Sequence, residues 1–239
     1  MKKILTVVQS FYIPWKGYFD LINSADELIL YDDMQYRRRF WINRNKIKTP
    51  EGIIWLTIPL QVKGRFTQAI KDTVISDSHW NQRHWETLKR CYGRAAHFRE
   101  VRELFEELYL NCRETHISQI NRRFLAAIFS LLGIRTKVTC SMDYTMIPGK
   151  TARLVDLCRQ KQADIYLTGP TARRYIDENL FRAAGIELRY MDYSNYPEYP
   201  QFYPPFTHEV SILDLIFHTG TKATEFMKSF RLDEVRTRL

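Results

Sequence analysis

The sequence predicts an α/β protein built on a mostly parallel sheet, and three observations predict it. Short, β-rich apolar runs at Ile4 to Val8, Leu28 to Tyr31 and Ile53 to Leu60 are each bounded by polar or turn residues, so each reads as a buried strand. Between the first two, Gly17 to Ser24 holds Tyr18, Phe19, Leu21 and Ile22 at helical spacing, which makes the opening a parallel βαβ unit. The alternation of strand and helix returns after residue 132, and a helical block over about 77–132 interrupts it. The expectation is a Rossmann-like sheet with helices on both faces and a helical insertion in the middle, in a single domain over 1–239.

In order, Gln9 to Trp15 is a loop, and Ser24-Ala25-Asp26 turns into the second strand. Residues 33–50 form a long polar connection, and Thr49-Pro50-Glu51-Gly52 is a turn signal before the third strand. Val62 to Gln68 is a basic loop, and Ala69 to Ser76 reads as a fourth strand. Asp77 or Ser78 is placed to cap a helix through Trp80, Trp85 and Leu88. Val101 to Tyr109 and Ile117 to Leu132 repeat apolar residues with a 3.6-residue period, and Gly133 suits a C-terminal cap. Thr136 to Ser141, Ala163 to Leu167 and Ile186 to Tyr190 read as strands, with helices expected over Thr151 to Gln160 and Thr171 to Ala184. Residues 191–206 form a rigid loop rich in tyrosine and proline, and Ser211 can cap a last helix through His218.

With 239 residues, 45% of them hydrophobic and 26% charged, the chain can bury a sizeable core and suits a soluble globular protein. No apolar run approaches the roughly 20 residues that span a bilayer, so no membrane insertion is expected. The stretch Met1 to Gln9 has the basic start of a signal peptide but too short an apolar part and no small-residue cleavage site. Cys91, Cys112, Cys140 and Cys158 are scattered with no CxxC pair, which reads as reduced thiols in the cytoplasm. The net charge of +9 favours anionic partners: nucleic acid, nucleotide phosphates or acidic headgroups. Residues 37–48 hold six Lys or Arg and no acid, interleaved with Phe40, Trp41, Asn43 and Asn45. That mixture suits base stacking and phosphate contact, against the plainer reading of a solvated basic face.

Polar groups gather where the strands end. Gln9 closes the first run, followed by the Pro14-Trp15-Lys16-Gly17-Tyr18 turn. Asp32, Asp33 and Gln35 close the second, followed by Tyr36, Arg37, Arg38, Arg39, Trp41, Asn43, Arg44 and Asn45. Strand ends of an open α/β sheet are where ligand sites form. Gly17 there permits close backbone approach or is only a turn glycine. The joint pattern of Gln9, Pro14 to Phe19, Tyr31 to Tyr36, Trp41 to Ile47, Trp55 to Pro59, Ala163 to Gly169 and Ser211 to Leu215 resembles the WbqC-like family over most of the chain. One departure is Ser10, where family members usually carry proline after the glutamine. The resemblance implies a role in O-antigen or related surface polysaccharide biosynthesis. It further implies a transferase that attaches an amino acid, usually glycine, to the amine of a nucleotide-linked amino sugar.

Such a transfer needs an activated donor carbonyl, a base for the acceptor ammonium and dipoles for the oxyanion. The donor would be a tRNA ester, a carrier thioester or an ATP-derived adenylate. Gln9, Asp32 and Asp33 are the candidate catalytic residues, against the reading that the carboxylates are strand-end caps and the amide a structural one. Trp15, Gly17, Tyr18, Gln35, Tyr36, Trp41, Asn43, Arg44, Asn45 and Lys46 are the candidate substrate-binding residues, with Tyr166, Gly169 and Gln201 shaping a pocket wall. Arg44 and Lys46 suit a pyrophosphate or a tRNA backbone. His79 and His84 stand five apart and share no helix face, so no metal site is expected. Cys140-Ser141 at a strand end supplies the alternative nucleophile. The first unit also looks like that of nucleotidyltransferases, but Tyr18 follows Gly17 where their HxGH motif has histidine. The competing function class is a basic nucleic-acid-binding or scaffold protein without catalysis.

Overall fold

The computed structural model describes residues 2–230. Five parallel strands form the main sheet: β1 (Ile4–Val8), β2 (Glu27–Leu30), β5 (Lys137–Cys140), β6 (Ile165–Thr168) and β7 (Glu187–Tyr190). Their spatial order is β5-β2-β1-β6-β7. The chain steps from β1 through helix α1 (Lys16–Asn23) to β2, and through the insertion to β5 on the same side. It then crosses back through α5 (Lys150–Gln160) to β6 on the other side of β1, and through α6 (Glu178–Ala183) to β7. This is the Rossmann-like order, with the reversal of direction between β1 and β6.

Alternation along the strands explains the layers. Leu5, Val7 and Ile29 pack with Leu154, Val155 and Phe181 of α5 and α6. Leu28 and Leu30 point the other way, into a core shared with Phe19 and Ile22 of α1 and with Phe124 and Ile128 of the insertion. The insertion holds three helices, α2 (Trp80–Tyr92), α3 (Phe98–Leu110) and α4 (Ile117–Leu132), as the periodicity predicts. Gly133 ends α4 with φ of 72°, and the Ser211 hydroxyl accepts from Leu213 N–H at the start of α7 (Ile212–Thr219). No helix among the described residues is long and apolar enough to cross a membrane.

Four expectations need correction. The third apolar run does not join the main sheet. Strand β4 (Gly52–Thr57) pairs antiparallel with β3 (Arg44–Thr49) in a separate two-stranded sheet, on a segment expected to be a polar connection. Ile53, Ile54 and Trp55 are 47%, 36% and 39% exposed, so this strand is not a buried one. Asn45, Ile47 and Thr49 of β3 turn inward and Arg44 and Lys46 outward; at Lys48 the outer side is covered by Gln201 and Pro205, while Arg44 and Lys46 are only half-buried. Residues 69–76 form a 3-10 turn (Ile70–Asp72) and isolated bridges in place of a strand. Residues 171–184 divide into a 3-10 turn (Pro170–Arg174) and the short helix α6, which Asp177 caps by accepting from Asn179 N–H. Helix α2 begins later than expected, after His79, whose N–H is held by the Asp77 carboxylate.

The loop over 191–206 has no regular structure but is well tied. Tyr199 donates to the buried Asp214 carboxylate at 2.8 Å. Tyr196 donates to Asp20 on α1, which is fully buried and also accepts from the backbone of Lys228 and Ser229. The C-terminal part of the described chain is thereby latched to the first helix.

Candidate functional site

All five strands of the main sheet run in parallel, so their C-terminal ends share one edge, and the switch point between β1 and β6 opens there. Gln9 leaves β1 at this point and Gly169 leaves β6. The Gln9 carbonyl is fixed by the Tyr18 hydroxyl at 2.9 Å. Its side-chain amide is half-buried and meets no hydrogen-bond partner among the described residues. Gly169 lies under Tyr193, whose hydroxyl would stand 3.6 Å from a Cβ built on the glycine. Trp15 meets the same tyrosine edge-on, with ring centroids 5.0 Å apart. Gly17 serves this wall: a Cβ there would lie 2.3 Å from the Trp15 ring. The close approach that the glycine permits is thus an indole and not a phosphate.

Successive residues after β2 take opposite sides of the sheet. Tyr31 packs with the α5 face, and its hydroxyl lies 3.3 Å from the Arg153 guanidinium. Arg153 Nε donates to the Ile147 carbonyl at 2.7 Å, which holds the side chain over the strand ends. Asp33 is half-buried and accepts from the Ser141 hydroxyl at the end of β5. Helix α5 begins beside them with Gly149, at a φ of 98°, and the exposed Lys150. Its first-turn N–H groups and these cations favour an anion.

Asp32 turns the other way. It is 1% exposed, and its Oδ1 accepts from Ser10 N–H at 2.9 Å while its Oδ2 has no partner. Burial pushes its carboxyl above the usual range, opposed in part by the Ser10 N–H and by Arg122. Asn121 on α4 completes this side, donating to the Ser10 and Ile42 carbonyls. The C-terminal edge of the sheet therefore has an open side, with half-buried Gln9 after β1 and half-buried Asp33 and Arg153 beside the ends of β2 and β5, and a closed side organised around Asp32.

The remaining candidate residues divide between bracing roles and a separate surface. Asn43 is buried, accepts from Tyr36 Oη at 2.9 Å and donates to the Ile58 carbonyl at 2.7 Å. Asn45 is buried and donates to the carbonyls of Tyr12 and Ile13. Gln201 bridges the buried Lys48 ammonium and the Asp214 carboxylate, and burial pushes that ammonium down. Tyr166 is buried and stacks on Phe181 at 5.0 Å. Arg44 and Lys46 lie on the hairpin, where Arg44 sits 4.0 Å from the Trp55 ring centroid, and Trp41, just before it, meets the same ring at 5.1 Å. Gln35 holds the Phe66 carbonyl at 2.6 Å.

The alternative nucleophile is poorly placed. Cys140 is buried, and burial pushes its thiol up, away from the reactive thiolate. His84 meets the Tyr12 hydroxyl at 2.9 Å inside the helical block, and burial pushes it down to about 4. Among the described residues, no cluster of three or more His, Cys, Asp or Glu is disposed to hold a metal ion. Sequence reasoning missed Arg153, Tyr193 and the role of Ser141. The Gly149-Lys150-Thr151 start of a helix after a strand was the available signal for the α5 end.

What the open side can do is limited by its groups. A carboxylate can take a proton, a guanidinium and a helix start can hold an anion, and a free amide can donate to an oxygen. The comparisons add ancestry. The model of the WbqC-like protein family matches residues 9–226. A protein of Mycobacterium tuberculosis (strain ATCC 25618 / H37Rv), named "Uncharacterized protein Rv1507c", is 48% identical over 231 residues, covering 97% of this chain and 100% of that protein. No solved structure matches the chain.

Proposed function

The chain belongs to the WbqC-like protein family, and from that premise we propose that it is a cytoplasmic aminoacyl transferase acting on the amine of a nucleotide-linked amino sugar. The observation that carries the reading is the open side of the switch point, where Gln9, Asp33 and Arg153 come from different parts of the fold to one strand edge. The pyrophosphate of the nucleotide sugar lies toward the start of α5, within reach of Lys150 and Arg153. Asp33 takes the proton from the sugar ammonium, and the freed amine attacks the activated carbonyl of the glycine-type donor. The Gln9 amide donates to the oxygen that becomes negative as the tetrahedral centre forms. The bond to the donor's leaving group then breaks, that group departs with the electron pair, and it takes up the second proton of the attacking nitrogen, which leaves a neutral amide. Trp15 and Tyr193 wall the crevice and exclude water from the reactive carbonyl. Asp32 supports the loop through Ser10 and touches no substrate.

Incubation with nucleotide-linked amino sugars and activated aminoacyl donors tests this, read by mass spectrometry. The expected result is a mass increase of one aminoacyl residue on the sugar, lost in Asp33→Asn and Gln9→Ala with the fold intact. Product formation that survives both substitutions would overturn it.

A further inference from the structure

The chain's charge is concentrated. Residues 34–71 carry nine Lys or Arg against one acid, Glu51, a net of +8 within a whole-chain net of +9. Among the described residues, Lys46–Glu209 and Lys71–Asp72 are the salt bridges of this segment, so Arg37, Arg38, Arg39, Arg44, Lys63 and Arg65 stand outside any ion pair. Aromatic rings alternate with these cations. Arg38 lies 5.6 Å from the Phe66 centroid, Arg37 5.1 Å from Phe40, and Arg44 4.0 Å from Trp55. Lys46 lies within 6 Å of both Trp41 and Trp55, at 5.9 and 5.7 Å. Phe66 is 71% exposed, beside a cavity of about 410 Å³ lined by Gln35, Tyr36, Arg37, Arg38 and Arg65. The hairpin and this cavity are joined through the Arg39 carbonyl, which Arg44 holds at 2.7 Å.

We propose that this face binds an unpaired polynucleotide strand, with phosphates on the arginines and bases on Phe66 and the Trp41–Trp55 pair. Exposed rings framed by cations fit a strand whose bases are free to stack, and a duplex offers no such bases. The face also leads to the crevice. Phe40 packs on Phe11, Phe11 on Tyr18, and Tyr18 holds the Gln9 carbonyl. A strand end bound here is directed at the switch point. This inference goes beyond the transferase reading and does not depend on it.

Fluorescence anisotropy with labelled strands of about twelve nucleotides tests it, using the full chain, one RNA arm and one DNA arm. Parallel titrations use the corresponding duplex and phosphatidylserine vesicles. The expected result is single-strand binding about ten times tighter than duplex binding, weakening steeply with salt. Trp55→Ala and Phe66→Ala each lower affinity by about tenfold with the salt slope unchanged, since they remove stacking and no charge. Arg65→Ala lowers the magnitude of the slope by about 0.7, one phosphate contact on a single strand. An RNA arm tighter than the DNA arm identifies the source of the strand as RNA, and the reverse as DNA. Equal binding of duplex or vesicles, or indifference to both aromatic losses, would overturn the proposal. Strand binding without aminoacyl transfer sinks only the transferase reading, and transfer without strand binding sinks only this one.

Discussion

The two sides of the switch point use the same kinds of residue for opposite purposes. On the side of α4, Asp32 and Asn121 are almost fully buried and bond chiefly to the backbone of Ser10 and Ile42. On the side of α5, Gln9, Asp33 and Arg153 are half-buried, and the Gln9 amide makes no hydrogen bond among the described residues. Asp32 and Asp33 are neighbours in the chain, yet the pleat sends one into each setting. Residue type does not decide between support and chemistry here; the face of the sheet does.

The largest expected effect belongs to the open side. Asp33→Asn keeps the hydrogen bond with Ser141 but cannot accept the proton, and the rate of product formation should fall by about 10²-fold or more. The thermal midpoint should stay within a degree of the parent in calorimetry. A comparable loss from Asp32→Asn with an unchanged midpoint would reverse the two roles.

On the closed side the effect is on stability. Asn121→Ala strands the Ser10 and Ile42 carbonyls in the core, at a cost of about 1–3 kcal/mol. For a chain of this size, that lowers the thermal midpoint by roughly 2–12 °C. Gly17→Ala should cost a similar amount, because the Trp15 ring must leave the glycine to admit a methyl group. Fluorescence of the displaced indole would report it.

A smaller effect lies in the pH dependence, and two buried carboxyls give it opposite signs. The Asp32 carboxyl is raised by burial, so the native state holds its proton more tightly than the unfolded chain. Its contribution to stability is present below the raised native value's window and is lost as pH climbs from the ordinary aspartate range through that value. Burial would raise Glu27 as well, but hydrogen bonds from Lys161 and Lys3 outweigh it and hold that carboxyl below its usual range. Glu27 therefore adds stability above the ordinary glutamate range, lost as pH falls through its lowered value. Denaturant titrations of Asp32→Asn and Glu27→Gln should change the slope of stability against acid pH in opposite directions. Smallest of all is the expected response of Cys140 to alkylation at neutral pH, near zero over an hour in the native protein by mass spectrometry.

Much of the frame was legible because periodicity is local. The β1-α1-β2 unit, the three helices of the insertion, the Gly133 stop and the Ser211 cap all follow from residues a few positions apart. The hairpin was not legible for the same reason. In β3 the inward positions are Asn45, Ile47 and Thr49, so a period of two is present but only one inward residue is aliphatic. In β4 four consecutive apolar residues look like a buried strand, yet only Leu56 is buried and Ile53, Ile54 and Trp55 are left as a surface. At the site, Gln9 and Asp33 could be read from strand ends. Arg153 and Tyr193 reach the crevice only through the crossover between β5 and β6 and the exit of β7, which no short window contains. Asn43 and Asn45 misled because an amide between cations looks the same in sequence whether it faces a ligand or a carbonyl.

The Asp20 latch has a consequence for how the chain is made. Its partners at Ser229 lie 209 residues further along the sequence. A ribosome delivers helix α1 and all five strands of the main sheet before the latch residues. Throughout that interval Asp20 has a place in the core but not its closing donors, and a charged side chain in that state favours water. Helix α1, and the wall that Trp15 belongs to, therefore gain these closing hydrogen bonds only once residues 228 and 229 have been made.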